Sequence, residues 1–319
     1  MRILTRADIT ALVDVAALIA PVAAAMQRVS EGRAELPLRS VVPVGGGNRL
    51  GVMPGALGDP PVYGAKLLSL FPDNPKHGRS SHAGLMLIFD PETGLVRACM
   101  DASELTALRT AAASAVATQA LARADAATLA IIGCGEQAHS HLAAMRAVRP
   151  LRRVVVWGRD PANAEAFARR HGIDTADTLA AAVAQADIVC TVTAARTPLL
   201  QPDMLHAGLH VNAVGASVPV MQEIATGCVP AVDLFTDYKP SLEAQAAEVI
   251  DARRQGLIGP DHRITEIGDV LRGAEPGRRD AAAITLYRSL GVAAQDLAAA
   301  QFVLARAEQA QRGIVVEMA

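Results

Sequence analysis

Aromatic residues and cysteine are both scarce in this sequence of 319 residues. One Trp, three Tyr and five Phe make up 3% of the chain, whereas hydrophobic residues make up 51%. The core must therefore be built by close packing of Ala, Val and Leu. The cysteines Cys99, Cys134, Cys190 and Cys228 stand far apart, without a C-x-x-C pair and without a histidine at metal-ligand spacing. This pattern predicts a reduced, cytoplasmic chain that binds no metal.

The chain also lacks an excess of charge and a long apolar run. It has 30 Lys and Arg against 32 Asp and Glu, which gives a net charge of −2, and the cations are scattered. A nucleic-acid partner is therefore not expected. The segment Met1 to Asp8 is charged and has no apolar core of signal-peptide length, and no later stretch is free of charge over a membrane span. We therefore expect no membrane partner and a cytoplasmic location.

The length favours two domains, and the first part of the chain has the pattern of a small α+β domain. Apolar residues recur at helical spacing from Asp8 to Glu31, and Gly32 stands where a helix would stop. Close-set β-like runs separated by Gly, Pro and Asn follow, which predicts an antiparallel sheet. The runs are Arg39–Val44, Arg49–Met53, Tyr63–Leu70 and Gly84–Asp90, and a long Ala-rich helix, Leu105–Ala122, comes after them.

From residue 123 the pattern alternates between strand and helix, which is typical of a parallel sheet covered on both faces. The predicted strands are Thr128–Ile132, Arg153–Trp157, Ile188–Thr193, His210–Val214, Leu234–Asp237 and Ala282–Leu290, and the predicted helices are Gln137–Val148, Pro161–His171 and Ala294–Gln311. The segment Thr178–Gln185 continues the series. Asp160 is the expected N-cap of the second of these helices. The prediction is a Rossmann-type doubly wound domain over 123–293 and a discontinuous first domain over 1–122 and 294–319, with the terminal helix returning to the first lobe.

A glycine loop lies between the first strand and the first helix of the predicted Rossmann domain. It reads Gly133-Cys134-Gly135-Glu136-Gln137-Ala138, with alanine at the third glycine position of a dinucleotide fingerprint. Gly133 permits a tight turn and Gly135 lets the backbone approach a pyrophosphate, which the helix N-terminus attracts. A simple strand-to-helix turn is the alternative, but the flanking strands favour a nicotinamide-dependent enzyme.

The end of the second strand of this domain indicates which dinucleotide is bound. An NAD site usually has an acid there for the ribose 2′-hydroxyl, but this chain has Gly158 and Arg159 after Trp157. Arg159 offers a bidentate fork for a 2′-phosphate, so NADP(H) is favoured and NAD(H) stays possible. Asp160 is the counter-argument, although it also fits the role of helix cap.

Four segments together resemble the ornithine cyclodeaminase and mu-crystallin superfamily over nearly the full chain. They are Leu108-Arg109-Thr110-Ala111-Ala112, the glycine loop, Val211-Asn212-Ala213-Val214-Gly215-Ala216 and Ser289-Leu290-Gly291. The resemblance implies a homodimer in which each chain has an N-terminal sheet lobe and a Rossmann lobe. It assigns substrate binding and dimerisation to the first of these, residues 1–122 with 294–319, and it implies a small α-amino or α-imino acid as substrate.

Three cations in apolar surroundings of the first domain suit a substrate carboxylate: Arg39, Lys66 and Arg109. The resemblance implies that they hold the substrate together. Lys66 lies on a strand that we expect to be half-buried, where a lowered pKa would let it donate a proton to the substrate nitrogen or act as a charge partner. A surface salt bridge is the alternative for each cation taken singly.

The predicted cofactor contacts lie at strand ends and in turns. They are Thr110, Gly133, Gly135, Glu136, Gln137, Ala138, Trp157, Arg159, Thr191, Thr193, Val214, Gly215, Ser289 and Gly291. Thr191 and Thr193 end a strand, where the adenosine half binds in doubly wound folds. The resemblance implies that Val214 and Gly215 lie beside the nicotinamide and that Ser289 and Gly291 close over its other side. Tight turns use the same small residues, which is the alternative.

One departure from the family pattern changes the expected reaction. Cyclodeaminases of this family carry an aspartate two residues after the Val-Gly pair, where this chain has Ser217. Serine is a poor base without an activating partner, and the resemblance to the mu-crystallin branch then implies an NADPH-dependent ketimine reductase. The alternatives are an ornithine cyclodeaminase or alanine-type dehydrogenase that uses NAD, and a non-catalytic, crystallin-like NADPH-binding protein.

Several other polar residues are candidates for a functional or a structural role. His82 is a candidate to face the substrate, and His139 is expected to pack or to neighbour a phosphate. Glu243 and Glu248 are expected on a solvated helix face. Asp233 and Asp237 are expected only to end a strand.

Overall fold

The computed structural model describes residues 1–58 and 61–317, apart from the side chain of Pro75. The chain forms two compact units, Met1–Thr110 with Val292–Ala319, and Ala111–Gly291. The first division therefore falls inside a helix, whereas the sequence prediction places the boundary after it. Met318 and Ala319, at the end of the predicted first domain, lie outside the described residues.

Among the residues that the structure describes, the first unit begins with one strand and two helices, which are followed by six strands and a long helix. Along the chain they are β1 (Arg2–Leu4), α1 (Arg6–Leu12), α2 (Val15–Ser30), β2 (Ala34–Glu35), β3 (Ser40–Gly45), β4 (Asn48–Leu57), β5 (Val62–Leu70), β6 (His82–Phe89), β7 (Val96–Asp101) and α3 (Ala102–Leu121), the last of which crosses into the second unit. The single predicted opening helix is in fact two, since Asp14 accepts a hydrogen bond of 2.9 Å from the backbone N–H of Ala17 and begins α2.

The second unit contains the alternating strands and helices. They are β8 (Thr128–Ile132), α4 (Glu136–Val148), β9 (Arg153–Trp157), α5 (Pro161–His171), β10 (Asp174–Thr175), α6 (Leu179–Ala184), β11 (Ile188–Thr191), β12 (His210–Ala213), β13 (Asp233–Thr236), α7 (Lys239–Gln245), α8 (Ala247–Arg254), β14 (Ile264–Glu266), α9 (Ile267–Leu271) and β15 (Thr285–Arg288). The chain then returns to the first unit with α10 (Ala293–Gln309) and β16 (Ile314–Val315).

The sheet of the first unit has the strand order β16-β1-β7-β6-β5-β4-β2, with β3 paired to β4. The predicted antiparallel arrangement is wrong at one place, because β1 and β7 pair in parallel. Neither of those strands was predicted from the sequence. Helix α10 packs on α2 and on β4, β5 and β6, and the buried core includes Leu18, Val22 and Met26 of α2. Lys66 and Arg109 lie in this unit.

The sheet of the second unit confirms the predicted Rossmann-type fold. Its eight strands have the order β10-β9-β8-β11-β12-β15-β13-β14, and all the described pairings are parallel. Strands β8 and β9 have the predicted bounds. Because β9 and β11 lie on opposite sides of β8, the chain reverses its winding direction there, and ligands of doubly wound folds bind at such a switch point, beyond the carboxyl ends of the strands.

Candidate active site

In the first unit, strand alternation buries Lys66. Val62, Gly64 and Lys66 share one face of β5 because successive side chains point to opposite sides of a strand, and all three are buried. Only 1% of Lys66 is exposed. A lysine is almost never buried to this degree without a charge partner, so the sequence pattern itself requires an acid nearby.

That acid is Asp296, in the first turn of α10. Its Oδ1 accepts a hydrogen bond of 2.8 Å from Lys66 Nζ and another of 2.8 Å from Arg109 Nε. Arg109 Nη1 donates to Oε1 of the neighbouring Gln295, also at 2.8 Å. The positive end of the helix dipole further favours a carboxylate in the first turn. The result is a buried group of two cations on one carboxylate oxygen.

The charges in this group shift the pKa values of its members. Burial and the charge of Arg109 lower the pKa of Lys66 to about 7, against the opposing effect of Asp296. Burial alone would raise the pKa of Asp296, but the charges of Arg109 and Lys66 lower it below its usual value. At neutral pH Asp296 is therefore ionised, and Lys66 is present in both its charged and its neutral form.

The charge of Arg39 acts on Lys66, and the charge of Lys66 acts on His82. Arg39 directly precedes β3, where Ser40 pairs with Val52, and the next residue of β4, Met53, pairs with Lys66. The charge of Arg39 contributes to the lowered pKa of Lys66. His82 begins β6, and partial burial together with the charge of Lys66 lowers its pKa. The structure thus brings all three predicted cations together, and a substrate contact for His82 stays a prediction.

In the second unit the glycine loop follows β8 as predicted. Gly133 has a φ of +120°, which a residue with a side chain rarely adopts, and a Cβ there would lie 2.9 Å from the carbonyl oxygen of Val192. Gly135 is the N-cap of α4 without a side-chain hydrogen bond, and a Cβ on it would enter open space. The first turn of α4 contains Glu136, Gln137 and Ala138. This cradle fits a pyrophosphate.

Glu223 was not predicted from the sequence. Its side chain forms hydrogen bonds with the ends of β11 and β12. Its Oε1 accepts hydrogen bonds from the backbone N–H of Thr193 at 2.6 Å and from the Thr193 hydroxyl at 2.8 Å. Its Oε2 accepts from the Thr191 hydroxyl at 2.9 Å and from the N–H of Gly215 at 2.6 Å. Burial raises the pKa of Glu223 despite these bonds. Gly215 admits no larger residue, because a Cβ would lie 2.0 Å from the Thr193 carbonyl oxygen.

The two candidate ribose contacts after β9, Arg159 and Asp160, have different surroundings. Asp160 caps α5, with its Oδ1 accepting from the Ala162 N–H and its Oδ2 from the Asn163 side chain, both at 3.0 Å. Arg159 is exposed, and no hydrogen bond or ion pair within residues 1–58 and 61–317 holds its side chain. Gly158 cannot carry a side chain without displacing Cys134, whose Sγ lies 2.6 Å from the position of a Cβ. Trp157 is half-buried.

Asp237 holds the Ser289–Gly291 segment, so the expectation that it only ends a strand is wrong. It is fully buried, and its Oδ2 accepts from the N–H groups of Leu290 at 3.1 Å and Gly291 at 2.7 Å. Gly291 has a φ of +72°. Asp233 does not end β13 but begins it, and it pairs with Arg279.

The expectation for Glu248 is also wrong. Glu248 is buried and pairs with Arg288, whose guanidinium also donates to the carbonyl oxygen of Ala216, next to Val214 and Gly215. A buried arginine at the end of β15 needs a counterion, and α8 supplies it. Glu243 is exposed as predicted and pairs with Arg253.

The packing and hydrogen bonds of four further residues named in the sequence analysis complete the description. His139 packs against Phe167 and lies 2.6 Å from His171, measured from Nδ1 to Nε2, which confirms the packing interpretation. Thr110 Oγ1 and Gln137 Oε1 are buried oxygens without a hydrogen-bond partner in the described part of the chain. Ser217 is half-buried, and its hydroxyl likewise makes no hydrogen bond to the described residues.

The missed residues Asp296, Glu223 and Arg288 share one signal in the sequence. Each is a charged residue in an otherwise apolar segment that is expected to be buried, such as Asp296 among the alanines of the last helix. Buried charges are paired. The sequence could therefore have shown that they have partners, but not which ones.

Comparison with known proteins agrees with this arrangement. The model of the ornithine cyclodeaminase/mu-crystallin family matches residues 1–311. The ketimine reductase mu-crystallin of Mus musculus is 34% identical over 292 residues, which are 90% of each chain. The structure of Thermococcus litoralis Δ1-pyrroline-2-carboxylate reductase in complex with NADH and L-proline has a TM-score of 0.95 at 31% identity and covers 99% of this chain and 100% of that one. An archaeal alanine dehydrogenase dimer with bound NAD has a TM-score of 0.92 at 28% identity and covers 99% of both chains.

These findings confirm the predicted class of protein, an NAD(P)-dependent oxidoreductase that acts on C–N bonds. Within the described residues no single helix is long and apolar enough to cross a membrane, although the bent pair α1 and α2 passes the same test of length and composition. The match over the whole chain shows that the protein belongs to the ornithine cyclodeaminase/mu-crystallin family.

Proposed function

We propose that this protein reduces the C=N bond of a small imino acid, cyclic or linear, with NADPH as the favoured hydride donor. The observation that carries the proposal is the buried group of Lys66, Arg109 and Asp296, with the charge of Arg39 acting on it. It combines cations for a carboxylate with a lysine whose pKa of about 7 suits proton transfer at neutral pH.

Each cation has a distinct role in this proposal. Arg109 uses Nε and Nη1 for Asp296 and Gln295, while its Nη2 makes no hydrogen bond within the described residues and is a donor for the substrate carboxylate. Arg39 supplies a second positive charge for the same carboxylate. Lys66 gives a proton to the substrate nitrogen, becomes neutral and is reprotonated from solvent.

A reduced nicotinamide, when bound, supplies the hydride to the imine carbon. One hydride and one proton are thus added across C=N, which gives the amino acid and the oxidised dinucleotide. The glycine loop, the open space at Gly135 and the strand ends held by Glu223 fit a dinucleotide. Thr191, Thr193, Val214, Gly215, Ser289 and Gly291 are the residues that we propose to line its site.

The preference for NADPH rests on two neighbouring residues. Asp160 caps α5 with both carboxylate oxygens, which favours the role of helix cap over that of the acid for a ribose 2′-hydroxyl. Arg159 is exposed and, among the described residues, without a partner, and its guanidinium suits a 2′-phosphate. The two solved relatives named above contain NADH and NAD, so NAD(H) is the alternative against which the preference has to be tested.

The alternative of a cyclodeaminase or alanine-type dehydrogenase is less well supported. Ser217 replaces the aspartate that the family resemblance implies for cyclodeaminases, and no described residue activates its hydroxyl. A purely binding role, the other alternative, does not explain why a lysine is buried and held at a pKa near neutrality. Ammonia release from ornithine without net NADPH turnover would favour the cyclodeaminase, and tight NADPH binding without turnover would favour the binding protein.

The decisive experiment is NADPH oxidation with cyclic imines, such as pyrroline- and piperideine-2-carboxylate, and with pyruvate plus an amine. We expect turnover by the wild type and a loss of about 100-fold or more in Lys66→Met and Arg109→Met, since a positioned acid contributes about 10²–10⁴-fold. Lys76→Met, at an exposed lysine, is the control. Activity retained in both site variants would refute the assigned roles.

We also propose that the protein is a homodimer in the cytoplasm. Strand β3 is an edge strand with only β4 beside it among the described residues, and Leu38, Val41, Val42 and Val44 around it are exposed. An exposed apolar edge favours association with a second copy. The four cysteines are free, as is usual in a reducing compartment.

A further inference from the structure

The two carboxylate oxygens of Asp296 have different surroundings. Oδ1 accepts the hydrogen bonds from Lys66 and Arg109, whereas Oδ2 is buried and has no hydrogen-bond partner among residues 1–58 and 61–317. Asp296 itself is fully buried. Because a buried acceptor without a donor costs free energy, such an atom in a native protein calls for an explanation.

The chemistry around Oδ2 restricts the missing donor. A carboxylate oxygen repels another anion or a carbonyl oxygen and accepts N–H or O–H groups. The same group of residues presents cations suited to a carboxylate, and the nitrogen of an α-amino or α-imino acid lies one carbon away from its carboxylate. A single small ligand can therefore satisfy both the cations and Oδ2.

We propose that Asp296 determines specificity for nitrogen: its Oδ2 accepts a hydrogen bond from the N–H of the protonated imine, which forms when Lys66 gives up its proton, or from the N–H of the amino-acid product. The inference rests on the proposed function, since it assumes an α-imino acid in this site. It adds a selection rule, because a 2-oxo acid of the same shape offers Oδ2 only lone pairs. A site built to bind an N–H group rejects the analogue that lacks it.

The test is a matched pair of ligands that differ at one atom. At neutral pH L-proline has a ring NH₂⁺ group, and tetrahydrofuran-2-carboxylate has an uncharged ring oxygen in its place. Isothermal titration calorimetry with the wild type in the presence of NADP⁺ should show proline binding at least about tenfold more tightly, the effect of one charge-assisted hydrogen bond.

Asp296→Asn should remove most of this difference. An amide keeps the shape of the side chain but lacks the negative charge, and if its oxygen stays with Lys66 and Arg109 its NH₂ group faces the ligand. We expect the ratio of the two affinities to fall to within about threefold, because the contribution of the charged acceptor is lost. Glu308→Gln, an exposed acid on the same helix α10 that pairs with Arg97, should keep the wild-type ratio.

The outcomes separate this inference from the proposed function. Equal affinities in the wild type, or an unchanged ratio in a folded Asp296→Asn protein that still binds NADPH, would overturn the role of Asp296. Should the variant not fold, the wild-type pair decides alone. Absence of imine reduction by the wild type would instead overturn the proposed function, whatever the calorimetry shows.

Discussion

The backbone N–H of Gly215 donates a hydrogen bond of 2.6 Å to Oε2 of Glu223, a buried carboxylate that also holds Thr193. This one side chain fixes the ends of β11 and β12 relative to each other. In a Rossmann-type sheet these ends are where a dinucleotide binds.

Replacing Glu223 by Gln should weaken dinucleotide binding. In the wild type each carboxylate oxygen accepts from a backbone N–H. The amide of the variant replaces one of these oxygens by an NH₂ group, which cannot accept that hydrogen bond, so one strand end must move. We expect the Kd for NADPH to rise about tenfold, which corresponds to about 1.4 kcal/mol. Fluorescence titration measures it, and Glu243→Gln, at an exposed glutamate, should leave the Kd unchanged. An unaltered Kd in Glu223→Gln would show that the strand ends do not depend on this carboxylate.

The rate of imine reduction should fall at high pH because Lys66 acts as an acid. With a pKa of about 7 in the free enzyme, Lys66 is protonated below that pH and loses its proton above it. We therefore expect kcat/KM to be level below pH 7 and to fall about tenfold per pH unit above it.

Two variants test the assignment of this pH dependence. Lys66→Arg has a side chain that stays protonated, so any fall that persists in it belongs to the substrate. Asp296→Asn removes a charge that raises the pKa of Lys66, so the fall should begin at lower pH. The same profile in the wild type and in Lys66→Arg would contradict the role of Lys66 as proton donor.

Replacing Arg159 by Ala should weaken NADPH binding and leave NADH binding nearly unchanged. A charge-assisted contact to a 2′-phosphate contributes about 1.5–3 kcal/mol, so the Kd for NADPH should rise at least about tenfold. Arg169→Ala, on the exposed face of α5, is the matched control. Equal losses for both dinucleotides would show that Arg159 does not read the phosphate.

Replacing Val42 by Asp should separate the proposed dimer. Val42 is 48% exposed on β3, and a charge in an apolar contact between copies is costly. Analytical ultracentrifugation should give a dimer for the wild type and a monomer for the variant. Leu95→Asp introduces the same charge at another exposed apolar residue of the first unit and should remain dimeric; a monomeric wild type would refute the proposal.

The fold was predictable where the pattern along the chain decides the structure. Strands β8 and β9 have the predicted bounds because each is a short apolar run between turn residues. Strands β1 and β7 were missed, since their place in the sheet depends on pairing with each other. The break between α1 and α2 follows from a single cap at Asp14, which a continuous apolar pattern conceals.

The site was predictable in its residue types but not in its pairings. Lys66, Arg39 and Arg109 were named from their apolar surroundings and the family resemblance. Asp296 lies 230 residues from Lys66 along the chain, and no local pattern connects the two. Glu248 was misjudged for the same reason, because its partner Arg288 comes from a distant strand.

The fit of Cys134 against Gly158 has a consequence for engineering. Since a Cβ at position 158 would lie 2.6 Å from the sulfur, an acid introduced at position 158 to favour NAD forces the side chain of Cys134 to move. Replacing Cys134 by Ala at the same time removes this contact. Loop exchange between relatives should therefore transfer the two turns as a pair.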